Sequence, residues 1–160
     1  MQKLKSIIII VDSREKQPWE FLPEEKKPGQ VQIIGSEVSG LNAGDYSVVG
    51  MEDIVRIERK AGFRELFVNY SDKEMKERFE AEMERLRPIK HKYIIVDSVL
   101  SKDALSLSVP QHGFGPTGNR IIEWLTKIEL NFGVGTIFAG DAGSRVAKTI
   151  FKEVSRKYGQ

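Results

Sequence analysis

Residues 54–60 have the sequence IVRIERK, in which apolar and charged side chains alternate. A period of two predicts a β-strand with one apolar and one polar face. Val55 and Ile57 lie on the apolar face, whereas Glu58 and Lys60 share the other. Because residues i and i+2 of a strand have β-carbons only about 6.5 Å apart, we expect Glu58 and Lys60 to project into one space.

Around this strand, short apolar runs alternate with longer amphipathic stretches, which predicts an α/β fold. Ile7–Val11 is a continuous β-branched run, typical of a strand that is buried on both faces. Other strands are predicted at Val31–Ile34, Tyr46–Val49, Tyr93–Val96 and Gly135–Ala139. We therefore expect a central mixed β-sheet flanked by helices. Since 160 residues suit one hydrophobic core, residues 1–160 are predicted to form a single domain.

Three amphipathic helices are predicted from their periodicity and their termini. Ser71 followed three residues later by Glu74 is a capping-box pattern, so one helix is expected to begin near Ser71. Arg120–Asn131 is a second helix, with Gly133 placed as its C-cap. Asp141 is the expected N-cap of the last helix. Irregular loops are predicted where proline, glycine and charged residues concentrate, at 18–30 and 106–118.

The composition favours an intracellular globular protein. Hydrophobic residues make up 40% and charged residues 30% of the chain, which is typical of a folded domain. No apolar run approaches the ~20 residues that span a bilayer, and the run after Lys5 is too short for a signal peptide. The absence of cysteine excludes disulfides and cysteine-bound zinc. We expect a cytoplasmic protein without membrane association; the net charge of +2 neither indicates nor excludes a nucleic-acid partner.

Two more carboxylates fall near predicted strand ends. Asp45, within Gly44-Asp45-Tyr46, directly precedes a strand, and a hairpin-like pairing with residues 54–60 would bring it beside Glu58. Asp12 follows the first strand, where open α/β sheets place their ligands. Carboxylates bind Mg²⁺ through hard oxygens, and a nearby lysine can orient a nucleophile or offset charge on a phosphate. The pattern suits phosphodiester hydrolysis, although Asp…Glu-x-Lys alone is common by chance.

The order of the motifs along the chain is more specific than any one of them. They are Asp12-Ser13-Arg14-Glu15 after a strand, Leu41-x-x-Gly44-Asp45-Tyr46, Glu58-Arg59-Lys60, and a helix with Arg78-Phe79 and Arg85-Leu86. This order resembles the nuclease core of the XPF family of structure-selective DNA nucleases, whose signature is GD…ERK…D with an upstream D-x-x-E. The specific motifs cover residues 7–96; beyond them only the α/β pattern is similar.

The resemblance implies a metal-dependent DNA endonuclease with the restriction-endonuclease-like fold, acting on branched or otherwise structured DNA. Asp12, Asp45 and Glu58 match acids that bind Mg²⁺ or Mn²⁺ in the family. Lys60 matches its catalytic lysine. Glu15 matches the acid that follows the first strand in the family, and Arg59 matches the motif arginine. The arginines expected to contact DNA are Arg14, Arg78 and Arg85.

The chain departs from the family pattern in three respects. Arg64 occupies the position of the last motif aspartate, and the adjacent Glu65 is a candidate substitute. Glu82 stands where the family usually has glutamine. The tandem helix-hairpin-helix module of eukaryotic and archaeal members is not found in these 160 residues, so the chain is more similar to compact stand-alone bacterial or phage versions.

Simpler interpretations remain open for each motif. Asp45 fits a turn, Glu58 and Lys60 fit a solvated strand face or an ion pair, and Asp12 with Glu15 could hold Arg14. The helix residues Arg78, Glu82 and Arg85 fit a solvated face. A catalytically silent DNA-binding or scaffold module is the alternative function, and RNA is not excluded as a substrate.

Other sites and partners follow from smaller signals. The glycines at 133–143 fit neither a dinucleotide-binding nor a P-loop pattern, so no nucleotide cofactor is expected. His91 and His112 have no companions at metal-ligand spacing. Family members commonly dimerise, and we expect a homodimer; Trp124 and Phe151 are either apolar anchors of its interface or residues of the core.

Overall fold

The computed structural model describes residues 6–106 and 117–159. Most of the loop predicted at 106–118, with His112, lies outside the described residues. The strands are β1 (Ser6–Asp12), β2 (Gln32–Ser39), β3 (Tyr46–Val48), β4 (Val55–Lys60), β5 (His91–Val96) and β6 (Gly135–Phe138). The helices are α1 (Phe63–Ser71), α2 (Lys73–Leu86), α3 (Lys102–Ser106), α4 (Gly118–Phe132) and α5 (Gly143–Tyr158), with a 3-10 turn at Gly140–Ala142.

The strands form a six-stranded mixed sheet in the order β2-β1-β3-β4-β5-β6. The central strand β3 is antiparallel to both of its neighbours, β1 and β4. The outer pairs, β1 with β2, β4 with β5 and β5 with β6, are parallel. The prediction of an α/β fold with a central mixed sheet flanked by helices is confirmed.

Two hydrophobic cores cover the two faces of the sheet. Along β5 the side chains alternate between them: Ile94 and Val96 belong to the core formed with α1, α2 and α4, and Ile95 to the core formed with α5. This burial on both faces explains the continuous apolar runs in the sequence. Among the described residues, no helix is long and apolar enough to cross a membrane.

Two of the predicted helix N-caps are wrong, and one predicted C-cap is confirmed. Ser71 ends α1, and the adjacent Asp72 caps α2 by accepting a hydrogen bond from the Met75 N–H at 2.8 Å. Asp141 lies in the 3-10 turn and makes no cap, since α5 begins at Gly143. Gly133 is the C-cap of α4 in the left-handed conformation. Both errors arise because an unpredicted helical segment precedes the helix concerned.

The predicted anchors of a dimer interface are core residues. Trp124 is 4% exposed and Phe151 0% exposed within the chain. The Trp124 Nε1–H donates to Glu80 at 3.0 Å, so its polar edge is satisfied internally. Because neither side chain has apolar surface to offer a second subunit, the prediction that they anchor an interface is wrong. The homodimer itself stays a prediction, and a monomeric mass by light scattering at tens of micromolar would contradict it.

Candidate active site

The β3–β4 hairpin holds Asp45 against the end of β4, as the sequence predicted. The Asp45 N–H donates to the Ile57 carbonyl at 2.8 Å, and the Arg59 N–H donates to Asp45 Oδ2 at 2.7 Å. Asp45 and Glu58 both line a cleft of about 350 Å³. We call it the acidic cleft after Glu15, Asp45, Glu58 and Glu65; its basic lining residues are Arg14, Lys16 and Arg59.

Gly44 has a conformation that sets the position of Asp45. Its φ is +80°, which costs an L residue roughly 1–2 kcal/mol. A β-carbon there would lie 3.3 Å from the Ile57 carbonyl oxygen. The Gly44 N–H also donates to Glu82 Oε1 at 3.0 Å, so the turn is tied to α2 as well as to β4.

We expect Gly44→Ala to destabilise the fold more than Gly50→Ala. Gly50 has the same φ of +80°, but no atom lies within 4 Å of the position that a β-carbon would take there. Each substitution should cost roughly 1–2 kcal/mol from the backbone conformation, and Gly44→Ala should add the contact with Ile57. Urea unfolding of both variants measures this difference. Equal losses would show that the turn accommodates a side chain freely.

Glu58 is a buried carboxylate with an unsatisfied oxygen. It is 5% exposed, and its Oε1 lies 3.3 Å from Lys60 Nζ. Its Oε2 is buried and has no hydrogen-bond partner among the described residues. Burial, followed by repulsion from Asp45, raises the pKa of Glu58 well above its usual value. The ionised form is therefore unfavourable unless a cation joins it.

The pKa of Asp45 is raised, like that of Glu58. Burial is the largest cause, with repulsion from Glu15 and Glu82 added to it, and together they raise the pKa of Asp45 to about 7. The hydrogen bond from the Arg59 N–H acts in the opposite direction. The end of the hairpin thus concentrates more negative charge than one lysine neutralises.

Lys60 is buried between two carboxylates and an aromatic ring. Its Nζ lies 3.3 Å from Glu58 Oε1, 3.6 Å from Glu65 Oε1 and 4.7 Å from the centre of the Phe79 ring. Burial alone would lower the pKa of Lys60, but attraction by Glu58 and Glu65 outweighs it and raises that pKa. Lys60 is therefore a fixed cation at this site.

Glu65 contacts the lysine rather than standing apart on the surface. From the first turn of α1 its Oε2 accepts the Ala61 N–H at 2.6 Å, while Oε1 faces Lys60. It lines the acidic cleft but is the most exposed partner of the lysine, at 41% for its side chain. This geometry suits a residue that holds Lys60 in position.

Asp12 adjoins Asp45 through the backbone, since its N–H donates to the Asp45 carbonyl at 2.8 Å, but its carboxylate has other partners. It is 2% exposed; its Oδ1 accepts the Leu41 N–H at 2.8 Å and its Oδ2 the Arg14 Nε–H at 2.9 Å. Asp12 does not line the acidic cleft, whereas Glu15 does. The simpler interpretation, in which Asp12 holds Arg14 at the end of β1, describes its contacts better than metal ligation.

Arg59 lines the acidic cleft, and its guanidinium is held by several groups. Its guanidinium lies 4.5 Å from the centre of the Trp19 ring and 2.8 Å from Asp97. It also donates to the Gln17 carbonyl at 2.7 Å. These contacts tie the segment after β1 to the sheet, which places Glu15 at the rim of the acidic cleft.

Glu82 is the site residue whose part the sequence interpretation missed. It lies on α2, and its bond to Gly44 and its effect on the pKa values of Asp45 and Glu58 place it close to both acids. Glu82 occupies the position where the family usually has glutamine, and this was the signal in the sequence that could have identified it. Helical spacing alone left it on a solvated face with Arg78 and Arg85.

The two arginines of α2 lie beside a second cleft, of about 370 Å³. Arg78 pairs with Glu74 at 2.7 Å on the exposed helix surface, and the Arg85 Nε–H donates to the Asn42 carbonyl at 2.9 Å. We call this the basic cleft, because its lining includes Arg14, Lys60, Arg78 and Arg85 beside one acid, Glu82. Arg14 lines both clefts.

The donor set of the acidic cleft fits a hard divalent cation. Within residues 6–106 and 117–159, no group of three or more His, Cys, Asp or Glu side chains has metal-site geometry. Mg²⁺, however, is commonly held by one or two carboxylates, with water or phosphate completing its shell. Asp45 and Glu58, with the unsatisfied Oε2, provide that number. His91 is elsewhere, 2.9 Å from the Tyr158 hydroxyl.

Comparison with known proteins supports the fold. No family model and no curated protein matches the chain. The solved structure of XPF from Aeropyrum pernix is similar, with a TM-score of 0.57 and 20% identity over 96% of this chain and 65% of that one. The solved structure of XPF from Aeropyrum pernix in complex with DNA has a TM-score of 0.58 and 19% identity, over 94% of this chain and 66% of that one. The chain thus spans about two thirds of their length and has an XPF-like fold, as the motifs predicted.

Proposed function

We propose that this protein is a metal-dependent endonuclease that hydrolyses phosphodiester bonds in branched or otherwise structured DNA. The observation that carries the proposal is the half-buried Asp45 together with the buried Glu58, which has one unsatisfied carboxylate oxygen and lies 3.3 Å from the fixed cation Lys60. Two desolvated acids are costly in a structural role, but they suit a site that binds a cation. The XPF-like fold, found also in a complex with DNA, supports DNA as the substrate.

The residues of the acidic cleft have complementary roles in this reaction. Asp45 and Glu58 would hold Mg²⁺ or Mn²⁺, which supplies Lewis acidity and a water of lowered pKa when bound. The Lys60 ammonium orients the attacking water or offsets charge that develops on the phosphate. Glu65 positions Lys60 from α1, at 3.6 Å.

Other residues act from the rim of the cleft. Glu15 lines the cleft and can reach a bound cation directly or through water. Arg14, with a 67% exposed side chain, is placed to contact DNA phosphates. We assign Asp12 to positioning Arg14, in place of the metal-binding role expected from its motif, because both of its oxygens already accept hydrogen bonds.

We expect purified protein to cut labelled flap, fork or nicked DNA with Mg²⁺ or Mn²⁺ and to be inactive with chelator. Linear duplex serves as the comparison substrate. The acid pair also predicts that either ion raises the melting temperature in the absence of DNA, because a ligand that binds the folded state stabilises it. Protein that binds these DNAs but cuts none with either metal would establish the silent DNA-binding module instead.

A further inference from the structure

Arg56 is a buried cation on β4 that the proposed reaction does not use. It is 5% exposed and, because side chains alternate along a strand, it lies on the same face as Glu58. Its Nε–H donates to the Glu52 carbonyl at 2.7 Å. Its Nη1 donates to Asn42 Oδ1 at 2.7 Å and to the Ala43 carbonyl at 2.6 Å. All three acceptors are uncharged oxygens.

A guanidinium is a costly donor for such acceptors. A charge that is taken out of water costs free energy unless a group of opposite charge joins it, and these acceptors of Arg56 are neutral. A neutral donor would satisfy a buried carbonyl at a lower cost. What a guanidinium adds is a rigid plane of N–H groups, which fixes several acceptors relative to one another. Arg56 therefore acts on the relative position of the segments that carry these oxygens.

Two of the three acceptors belong to the turn that carries Asp45. Residues 40–45 connect β2 to β3, and we call them the β2–β3 turn. Ala43 is 0% exposed, and Gly44 and Asp45 follow it directly. A β-carbon at Gly44 would lie 3.5 Å from the Arg56 Cβ, so the turn packs against this side chain. The third acceptor belongs to the loop between β3 and β4, and Arg56 thus joins the turn to that loop.

Two residues of α2 hold other parts of the turn. The Gly44 N–H donates to Glu82 Oε1 at 3.0 Å, and the Arg85 Nε–H donates to the Asn42 carbonyl at 2.9 Å. Neither bond reaches the buried carbonyl between them, which Arg56 binds. Loss of Arg56 would therefore loosen the turn next to its metal-binding acid without detaching it from α2.

We infer that Arg56 is a positioning residue, which fixes the β2–β3 turn so that the Asp45 carboxylate stands beside Glu58 before a cation binds. A ligand group that is already held in place loses less freedom when the ion arrives. The inference rests on the proposed function, to which it adds the device that prepares one of the two metal ligands.

Arg56→Met removes both bonds to the turn and keeps an apolar side chain in their place. We expect it to weaken Mn²⁺ binding about tenfold, the scale of one hydrogen bond, as measured without DNA from the metal-induced rise in melting temperature. Because Asp45 itself is unchanged, a high Mn²⁺ concentration should restore cleavage by Arg56→Met but not by Asp45→Asn. Cleavage is assayed below the melting temperature of the metal-free variants, so that a general loss of stability has no effect on the comparison.

Arg56→Lys and Asn42→Ala are milder variants. An ammonium is a compact point charge and cannot hold several acceptors in one plane, so Arg56→Lys should bind Mn²⁺ with an intermediate affinity. Asn42 is exposed, and Asn42→Ala removes one acceptor without disturbing the core, with the same expected result. If Arg56→Met does not fold, normal Mn²⁺ binding by both milder variants would overturn the inference.

Lys92→Met is the matched control. Lys92 is the register partner of Arg56 on β5, is half-buried and donates to the Ile89 carbonyl at 2.7 Å. Since this bond lies outside the β2–β3 turn, its loss should leave Mn²⁺ binding and cleavage unchanged. A loss as large as that in Arg56→Met would trace the effect to removal of any cation from the sheet and would contradict the positioning role.

The double variant of Arg56→Met with Asp45→Asn decides whether Arg56 acts through Asp45. Its Mn²⁺ binding should be no weaker than that of Asp45→Asn alone, because residues that act through one another do not add their effects. Two losses that add would overturn the inference. Where Asp45→Asn binds no measurable metal, the rescue by high Mn²⁺ decides instead, and its absence in Arg56→Met has the same meaning.

Failure of the inference and failure of the proposed function give different results. Wild-type protein that binds Mn²⁺, with unchanged binding by Arg56→Met, would overturn the positioning role and leave the metal site. Wild-type protein without any metal-induced stabilisation would contradict both. Weakened Mn²⁺ binding by Arg56→Met, with no cleavage of any DNA by wild type, would support the positioning role and contradict the nuclease.

Discussion

Glu58→Gln is expected to abolish cleavage and, in chelator at neutral pH, to make the protein more stable. Glutamine keeps the size of Glu58 but removes the charge that would hold the metal, so cleavage should fall by at least ~10²-fold. The same change removes the charge of a carboxylate whose ionised form burial disfavours, so the free energy of unfolding should increase. If Glu58 were kept for stability, Glu58→Gln would instead lower the free energy of unfolding.

The pH dependence of the stability follows from the direction of the pKa shifts. The pKa values of Glu58 and Asp45 are raised in the folded protein, so the folded state binds protons more tightly than the unfolded chain. Their contribution to stability is present below about pH 4, the ordinary carboxyl range. It is lost as the pH rises through the folded values, about 7 for Asp45. Metal-free wild type should therefore lose stability across this window, and Glu58→Gln should lose less.

Thermal unfolding in chelator at several pH values, with single-turnover cleavage alongside, measures both effects. Glu77→Gln is the matched control, because Glu77 is an exposed acid of α2 that lines neither cleft. It should change neither cleavage nor the pH profile. Wild-type cleavage by Glu58→Gln would point to another site or to a contaminating nuclease. Destabilisation of Glu58→Gln at neutral pH would show that its pair with Lys60 serves the fold.

Lys60→Met is expected to lower cleavage by at least ~10²-fold, the scale for loss of one electrostatic stabiliser. Methionine keeps an apolar chain against Phe79 while removing the ammonium that lies 3.3 Å from Glu58. DNA affinity should change little, because contacts with the DNA backbone are spread over many basic side chains. Cleavage rates at saturating enzyme and separate binding titrations distinguish the two effects.

Lys76→Met provides the control for loss of a stacked lysine. Lys76 lies 4.5 Å from the centre of the Tyr70 ring and lines neither cleft, so its loss should leave cleavage unchanged. Glu65→Gln should reduce cleavage less than Lys60→Met, because Glu65 acts through the lysine. Full activity of Lys60→Met would remove this residue from the mechanism. A loss in Glu65→Gln as large as that in Glu58→Gln would make Glu65 a metal ligand.

Local sequence patterns were sufficient for the hairpin that carries the acids. Alternation along 54–60 put Glu58 and Lys60 on one face, and the structure joins them at 3.3 Å. The position of Asp45 before the paired strand likewise predicted its place beside β4. These relations are short in range, because strand pleating and hairpin pairing are consequences of backbone geometry.

Relations between distant segments could not be obtained in this way. The Asp12 carboxylate accepts a hydrogen bond from the Leu41 N–H, 29 residues along the chain, and the Glu82 carboxylate accepts one from the Gly44 N–H, 38 residues away. Trp124 and Phe151 have the same apolar character whether they face a partner or a core. Which groups meet depends on how helices pack against the sheet, and helical or strand periodicity specifies a face of an element but not the element opposite it.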